Sequence, residues 1–187
     1  MIEIRFPDQS VRSYEKGTTP FEVAQSISEG LARNVLSAAF NGNTVEASTP
    51  LEENGNIQLF TWNDPKGKTA FWHSSAHLLA QSILALYPQA KLTIGPAIEN
   101  GFYYDVDFGG ASFSEKDLPA LEKQFLSFAR EKFEFKMRSS SKAEALDFYQ
   151  KENNPFKLEL IENLEDGTIS FCDHADFTDL CRGGHIP

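Results

Sequence analysis

Apolar and polar residues alternate at the start of the chain, through Ile2-Glu3-Ile4-Arg5-Phe6 and again through Val11-Arg12-Ser13-Tyr14, with Pro7 and Asp8 between the two runs. A period of two on either side of turn residues predicts a hairpin of two short strands. Thr18, Thr19 and Pro20 then make a helix start, a hydroxyl cap with proline in the first turn, leading into FEVAQSIS. VLSAAF and TVEAS flank Asn41-Gly42, the strongest short hairpin turn, and IQLFTW after Asn54-Gly55 supplies a last strand. The order β-β-α-β-β-β predicts a small sheet wrapped around one helix, a β-grasp domain over residues 1–62.

Beyond it, Asn63-Asp64-Pro65-Lys66-Gly67 reads as a polar, breaker-rich linker, which puts a domain boundary at 63–69 and a second domain over 63–187. The period then changes to that of a helix. Trp72, Ala76, Leu79, Ala80, Ile83 and Leu86 recur at three- and four-residue steps between Thr69 and Tyr87, and Pro88 stops the run. His73, His77 and Leu84 fall on a neighbouring stripe, which places the histidines at the edge of a cleft. KLTIGPAIENGFYYDVDF reads as two extended stretches about Glu99-Asn100-Gly101. Ser114 with Asp117 forms a capping pattern for the helix LPALEKQFLSFAREKF. KAEALDFYQKEN is a further helix stopped by Asn154-Pro155, FKLELIENL reads as mixed, and TISFCDHADFTDLCRGGH as strands around a turn. The fold class is α+β in both domains.

Composition narrows the function classes. The chain has 187 residues, enough for two small cores, and 41% of them are apolar, including 16 Phe. No run approaches the roughly 18 apolar residues of a membrane span, so no membrane partner is expected. MIEIRF opens directly into a strand without a basic leader, which predicts a cytoplasmic protein with Cys172 and Cys181 as reduced thiols. The formal net charge of −10 argues against a chain whose main task is to coat nucleic acid. Local contact stays open, because Lys123, Arg130, Lys132, Lys136 and Arg138 cluster in one stretch; Glu122, Glu131 and Glu134 balance them if this is only a solvated face.

The chemistry concentrates in four residues. His73 and His77 in HSSAH are spaced to lie one turn apart on a helix face, and Cys181 and His185 in CRGGH bring a thiol and a third imidazole from a distant segment. The chain holds only four His and two Cys, so their grouping into two matched spacings is informative. Such a set grips a metal or runs hydrolysis without one. Ser74 stands where an H-E-x-x-H metalloprotease has its Glu, which excludes that class. Cys172 and His174 read as incidental neighbours on a strand rather than as a metal pair.

Resemblance to known families adds to this. FPDQS, KGTTPFEVAQSISEGLARN, AAFNG and LEENGNIQLFT resemble the TGS domain, which occurs at the N-terminus of threonyl-tRNA synthetases and in some stringent-response enzymes and GTPases. HSSAH, IGPAIENGFYYDVD, FKLELI and DLCRGGH resemble, in order, the editing domain of threonyl-tRNA synthetases, whose fold is shared with alanyl-tRNA editing domains. That family carries C-R-G-P-H most often, and here Gly184 replaces the proline; glycine is expected to follow the same path with less pre-organisation.

The resemblance implies hydrolysis of mischarged seryl-tRNA(Thr), with the tRNA acceptor end carrying serine as partner. His73 would orient or activate water, together with the 2′-hydroxyl of the terminal adenosine. His77 and His185 would shape the site, Lys157 would stabilise negative charge or position water, and Cys181 would contact a hydroxyl or water. Asp179 would receive the substrate α-ammonium, and Tyr104 would stack on or hydrogen-bond its end; in the run Phe102-Tyr103-Tyr104 it is also a candidate packing residue. The expected editing needs no cofactor and no metal, with His73, His77, Cys181 and His185 as the zinc set if one is bound. ATP, Mg and zinc would belong to a catalytic core that the sequence does not contain, so no aminoacylation is expected, and a homodimer would form through that core. Two other readings stand beside this one: a zinc-dependent alanyl-type deacylase, and a non-enzymatic tRNA-binding or regulatory module.

Overall fold

Strands β1 (Ile2–Arg5) and β2 (Val11–Tyr14) form the hairpin that the alternation predicts, in antiparallel register Ile2↔Tyr14 to Arg5↔Val11. The computed structural model describes Met1–Pro187 and divides into two compact units, Met1–Ser74 with Gly183–Pro187, and Ser75–Arg182. In the first unit, α1 (Pro20–Ile27) and the short α2 (Glu29–Ala32) follow, then β3 (Ser37–Phe40), β4 (Asn43–Val45) and β5 (Gly55–Phe60). The sheet order is β2-β1-β5-β3-β4, with β1 and β5 parallel at its centre and the other pairs antiparallel. Parallel neighbours need a crossover, and α1 with the β3-β4 hairpin supplies it.

One face of that sheet closes over the helix. Ile2, Ile4, Val23, Leu51 and Ile57 form a buried cluster edged by Tyr14, Phe40 and Leu59. Thr19 caps α1 reciprocally: its Oγ1 accepts from the Glu22 N–H at 3.2 Å, and its own N–H donates to Glu22 Oε2 at 2.8 Å.

The segment expected as a linker is instead the start of a long helix, α3 (Pro65–Leu86). Pro65 takes the first helical position, where its missing N–H costs nothing, and Asp64 Oδ2 accepts from the Thr61 N–H at 2.8 Å to fix the entry. The helix is also buried more widely than one stripe: every residue from Ser74 to Ile83 except Leu79 is buried, Ser75, Gln81 and Ser82 among them. Ser74 and Ser82 satisfy their hydroxyls by donating to Ala70 O (2.8 Å) and Leu78 O (2.6 Å) one turn back.

The second unit continues with four two-residue strands, β6 (Lys91–Leu92), β7 (Ala97–Ile98), β8 (Gly101–Phe102) and β9 (Val106–Asp107), paired as β6-β9 and β7-β8. The Ser114 and Asp117 pair caps a 3-10 turn, Glu115–Asp117, which leads into α4 (Leu118–Glu131). Then come β10 (Lys136–Ser139), α5 (Lys142–Lys151), α6 (Pro155–Glu162), β11 (Ser170–His174) and β12 (Phe177–Leu180), with a sheet order β10-β11-β12. FKLELIE, read as mixed, is wholly helical in α6, because Asn154 caps it and Pro155 opens it. Two cores result: Ala80, Ile83, Leu92, Leu121 and Phe177 in one, Ala145, Tyr149, Ile161, Ile169 and Phe171 in the other. No helix is long and apolar enough to cross a membrane.

The two kinds of support in the first unit should be separable by size. Leu51→Ala removes a side chain that is 2% exposed and should cost about 2–5 kcal/mol. Thr19→Ala removes one cap and should cost about 1 kcal/mol. Urea unfolding checks both; equal midpoint shifts would mean that the cap, rather than the core, limits this unit.

Candidate functional site

The register of the β11-β12 hairpin positions the acidic centre of the second unit. Cys172 pairs with Asp179 and His174 with Phe177, so these four side chains share one face of the sheet. Three of the four are ordinary buried residues, and the fourth, Asp179, is a carboxylate only 3% exposed. Burial of that kind demands compensation. Lys157 Nζ, itself 3% exposed, donates to Asp179 Oδ1 at 2.6 Å, and the Tyr104 hydroxyl donates to Oδ2 at 2.6 Å. Tyr149 Oη donates to Oδ1 at 3.2 Å, while the Leu180 N–H lies 2.8 Å from both Tyr149 Oη and Asp179 Oδ1. His77 Nδ1 stands 3.5 Å from Oδ2, with its ring beside Phe135 and Phe177.

These partners come from α3, α5, α6 and the β8-β9 connection, and each is held in turn. Asn154 fixes Lys157 by accepting from its N–H at 3.2 Å, and donates from Nδ2 to Leu92 O at 2.9 Å. Lys157 sits in the first turn of α6, where the helix dipole disfavours a cation; the adjacent carboxylate outweighs that. Tyr104 lies against Gly95: a Cβ at position 95 would come within 2.1 Å of its ring, so only glycine allows this placement.

Burial alone would push the Asp179 carboxyl up; the Lys157 ammonium and His77, with the hydrogen bonds from Lys157 and Tyr104, outweigh it and hold the carboxyl below its ordinary 3.8. Burial first, and then the Asp179 charge, push the phenols of Tyr104 and Tyr149 well above 10.0, so both remain neutral donors. A cavity of about 310 Å³ opens onto Lys157, Tyr149 and Asp179 between Leu92, Phe148 and Phe177.

The first unit contains another part of the predicted set. The rings of His73 and His185 stack at 4.7 Å between centroids and 29° between planes. His185 is fully buried, and its Nδ1 lies 2.6 Å from Glu46 Oε1. The Ile186 N–H donates to Ser74 Oγ at 3.0 Å, which secures the chain just past the histidine.

Gly184 has φ +93°, a conformation closed to proline, whose ring holds φ near −65°. The expectation that this loop follows the path of C-R-G-P-H is therefore corrected: it takes a course that the proline form of the motif cannot take.

Of the residues expected at a site, Tyr104, Lys157, Asp179 and His77 converge in the second unit, and His73 and His185 in the first. Cys181 is buried in the second unit, directly after β12, with its N–H donating to Ser170 O at 3.0 Å. His73 and His185 in the first unit and His77 and Cys181 in the second are three imidazoles and a thiol, the donor types of a tetrahedral zinc site.

Tyr149, Gly95 and Asn154 belong to the same machinery and were not recognised in the sequence, where a tyrosine in an amphipathic helix and a lone glycine look ordinary. His174 is a structural residue, hydrogen-bonded through Nδ1 to Gln81 Oε1 at 2.8 Å and stacked on Phe135 at 4.6 Å. In the basic stretch, Arg138 is committed to Asp173 at 2.8 Å and to the Phe171 ring at 4.5 Å.

The Asp179 network sets a pH signature. A carboxyl held down in the folded state stabilises above its unfolded value near 3.8 and loses that contribution as pH falls through its lower folded value. Lys157→Met leaves the buried carboxylate without its cation and should cost about 3–5 kcal/mol near neutral pH. Its folded carboxyl should rise above the unfolded value, so the deficit should shrink as the pH is lowered toward 4. Urea unfolding across this range tests it; a deficit independent of pH would mean that Lys157 acts by packing alone.

Residues 2–61 match the TGS domain family. All of the chain aligns with the threonine-tRNA ligase of Flavobacterium johnsoniae at 61% identity, over 28% of that protein's length. The ligases of Cytophaga hutchinsonii and Parabacteroides distasonis match the whole chain at 52% and 49%, each over 29% of its length. The chain thus spans less than a third of the relatives that it matches. With a TGS domain at residues 2–61 and these identities along its whole length, the chain is similar throughout to the N-terminal region of threonine-tRNA ligases.

Proposed function

We propose that this chain edits, hydrolysing seryl-tRNA(Thr) in support of threonine attachment by the rest of the ligase, and that residues 63–187 form the editing domain. The observation that carries this is the buried cluster of Lys157, Asp179, Tyr104 and His77: charged and polar groups kept desolvated beside a cavity are what ester hydrolysis needs and what a passive fold avoids. The need is physical. A threonine pocket separates serine from threonine by one methyl group, worth about 1–3 kcal/mol, and a second site that destroys seryl ester supplies the remainder.

In this reading His73 orients or activates the attacking water with the terminal 2′-hydroxyl, a role suited to a group with an unperturbed pKa of about 6.5. His77 and His185 shape the site, Cys181 contacts water or hydroxyl, and Lys157 supplies positive charge for the developing oxyanion. Asp179 Oδ1 already accepts from three donors, so the substrate ammonium would be received at Oδ2, beside the Tyr104 hydroxyl. Support for joining the two clusters comes from the chain: His73 and His77 lie one turn apart on α3, and three residues separate Cys181 from His185. The partner is the acceptor end of tRNA(Thr) carrying serine, the setting is the cytoplasm, and dimerisation belongs to the remainder of the ligase. ATP, Mg and the zinc of aminoacylation belong there too.

Deacylation of seryl- and threonyl-tRNA(Thr) by the purified chain is the test. Seryl ester should be lost preferentially, and His73→Ala should slow the loss by roughly 100-fold or more. Gly95→Ala should also slow it, by displacing Tyr104. His174→Ala should lose stability through Gln81 and Phe135, so exposed Glu122→Ala is the silent control. Loss of both esters no faster than without the chain would favour a tRNA-binding module without hydrolysis, whereas equal cleavage of both, or an unchanged rate in His73→Ala, would overturn a selective site centred on His73.

The donor set of three imidazoles and one thiol supports a second reading, zinc-dependent deacylation of the alanyl type. We propose metal-free hydrolysis, in which the same residues bind substrate and water. Elemental analysis should find well below one zinc per chain, and a chelator should leave the rate intact. Stoichiometric zinc whose removal stops hydrolysis would establish the zinc reading.

A further inference from the structure

We infer that Glu46, within the TGS domain, is a positioning residue for His185, fixing which ring nitrogen carries the proton and which way the ring points. This rests on the reading of His185 as an editing-site residue for its effect on rate, but not for its effect on the ring itself.

Glu46 Oε1 lies 2.6 Å from His185 Nδ1, where the imidazole is fully buried and the Glu46 side chain is 14% exposed. A carboxylate only accepts, so Nδ1 carries the hydrogen in this contact, and in the neutral ring Nε2 is then the acceptor. A ring held at one nitrogen can still swing. Here the stack on His73 at 4.7 Å fixes its plane, and the Ile186 N–H to Ser74 Oγ bond of 3.0 Å fixes the chain beside it.

Glu46 is itself immobilised. Its carbonyl accepts from the Thr49 N–H at 3.1 Å, and the carbonyl of the fully buried Ala47 accepts from the Phe21 N–H at 2.9 Å, tying the loop after β4 to the start of α1. This is the arrangement by which carboxylates set the tautomer and direction of functional histidines, whether the other nitrogen faces water or a metal. It assigns the TGS domain a part in the editing chemistry: a single carboxylate that prepares the last histidine of the CxxxH motif.

The test uses the full chain with 15N-labelled histidine and three forms: wild type, Glu46→Ala and Glu46→Gln. Long-range 1H–15N spectra should show His185 as the Nδ1–H tautomer in wild type. Glu46→Ala should lose that signature while far-ultraviolet circular dichroism shows the fold retained. Glu46→Gln should restore it, since the amide oxygen still accepts from Nδ1–H. Seryl-tRNA deacylation should fall about 10- to 100-fold in Glu46→Ala and largely recover in Glu46→Gln. An Nε2–H tautomer in wild type, or an unchanged tautomer in folded Glu46→Ala, would overturn the inference. If wild type shows Nδ1–H that depends on Glu46 but hydrolyses no ester, the positioning stands and the editing reading falls.

Discussion

A carboxylate removed from water must be matched where it lies, and the second unit is organised by that requirement at Asp179. Five groups address its two oxygens: Lys157, Tyr104, Tyr149, His77 and the Leu180 N–H. They arrive from three helices, a connection between short strands and β12 itself. Each element must be in place before the charge is satisfied, so the network checks the assembly of the fold. It is not needed for stability as such, because a well-packed apolar set of similar volume often does as well as a buried ion pair or better. A chain that keeps the ion pair, with two tyrosines aimed at it and a cavity beside it, carries the groups that polar chemistry requires.

Helix α3 is the second organising element. It begins in the first unit and ends in the second, and its buried stretch accommodates polar residues because the hydroxyls of Ser74 and Ser82 return to the carbonyl one turn back, while Gln81 meets His174. An apolar stripe would be enough for a helix lying on a sheet, whereas burial on all sides requires this internal satisfaction. The cost is low helix propensity in the serines, offset by packing. The benefit is that His73 and His77 project from a backbone held along most of its length, as a site built on a rigid element requires.

The division of the chain also bears on what a TGS domain contributes. Gly183–Pro187 belongs with residues 1–74, so His185 keeps company with His73, Ser74 and Glu46. The last histidine of a motif read as part of the second domain is thus held by a carboxylate of the first. Such an arrangement ties the geometry of the histidine to the folding of the β-grasp sheet, since Ala47, next to Glu46, is buried and bonded to α1.

Much of this chain was legible in its sequence, for reasons that are local. The strand alternation, the cap of Thr19 and Glu22, the Asn41-Gly42 turn and the HxxxH spacing each act within a few residues, so the β-grasp order and the paired histidines follow from the chain as written. Local patterns failed where a longer-range fact decides. Pro65 and Gly67 look like breakers, but a proline in the first turn starts a helix. FKLELIE is ambiguous by period until the Asn154 cap, anchored on Leu92, selects α6. His174 and Tyr149 resemble many other residues until Gln81 and Asp179, 93 and 30 positions away, meet them. The sequence by itself determined which groups were available and the faces on which they would lie. The tertiary structure alone decided which of them are buried together, because the desolvation that makes Asp179 dependent on Lys157, or Tyr104 on the missing side chain of Gly95, exists only once distant segments exclude water from the same place.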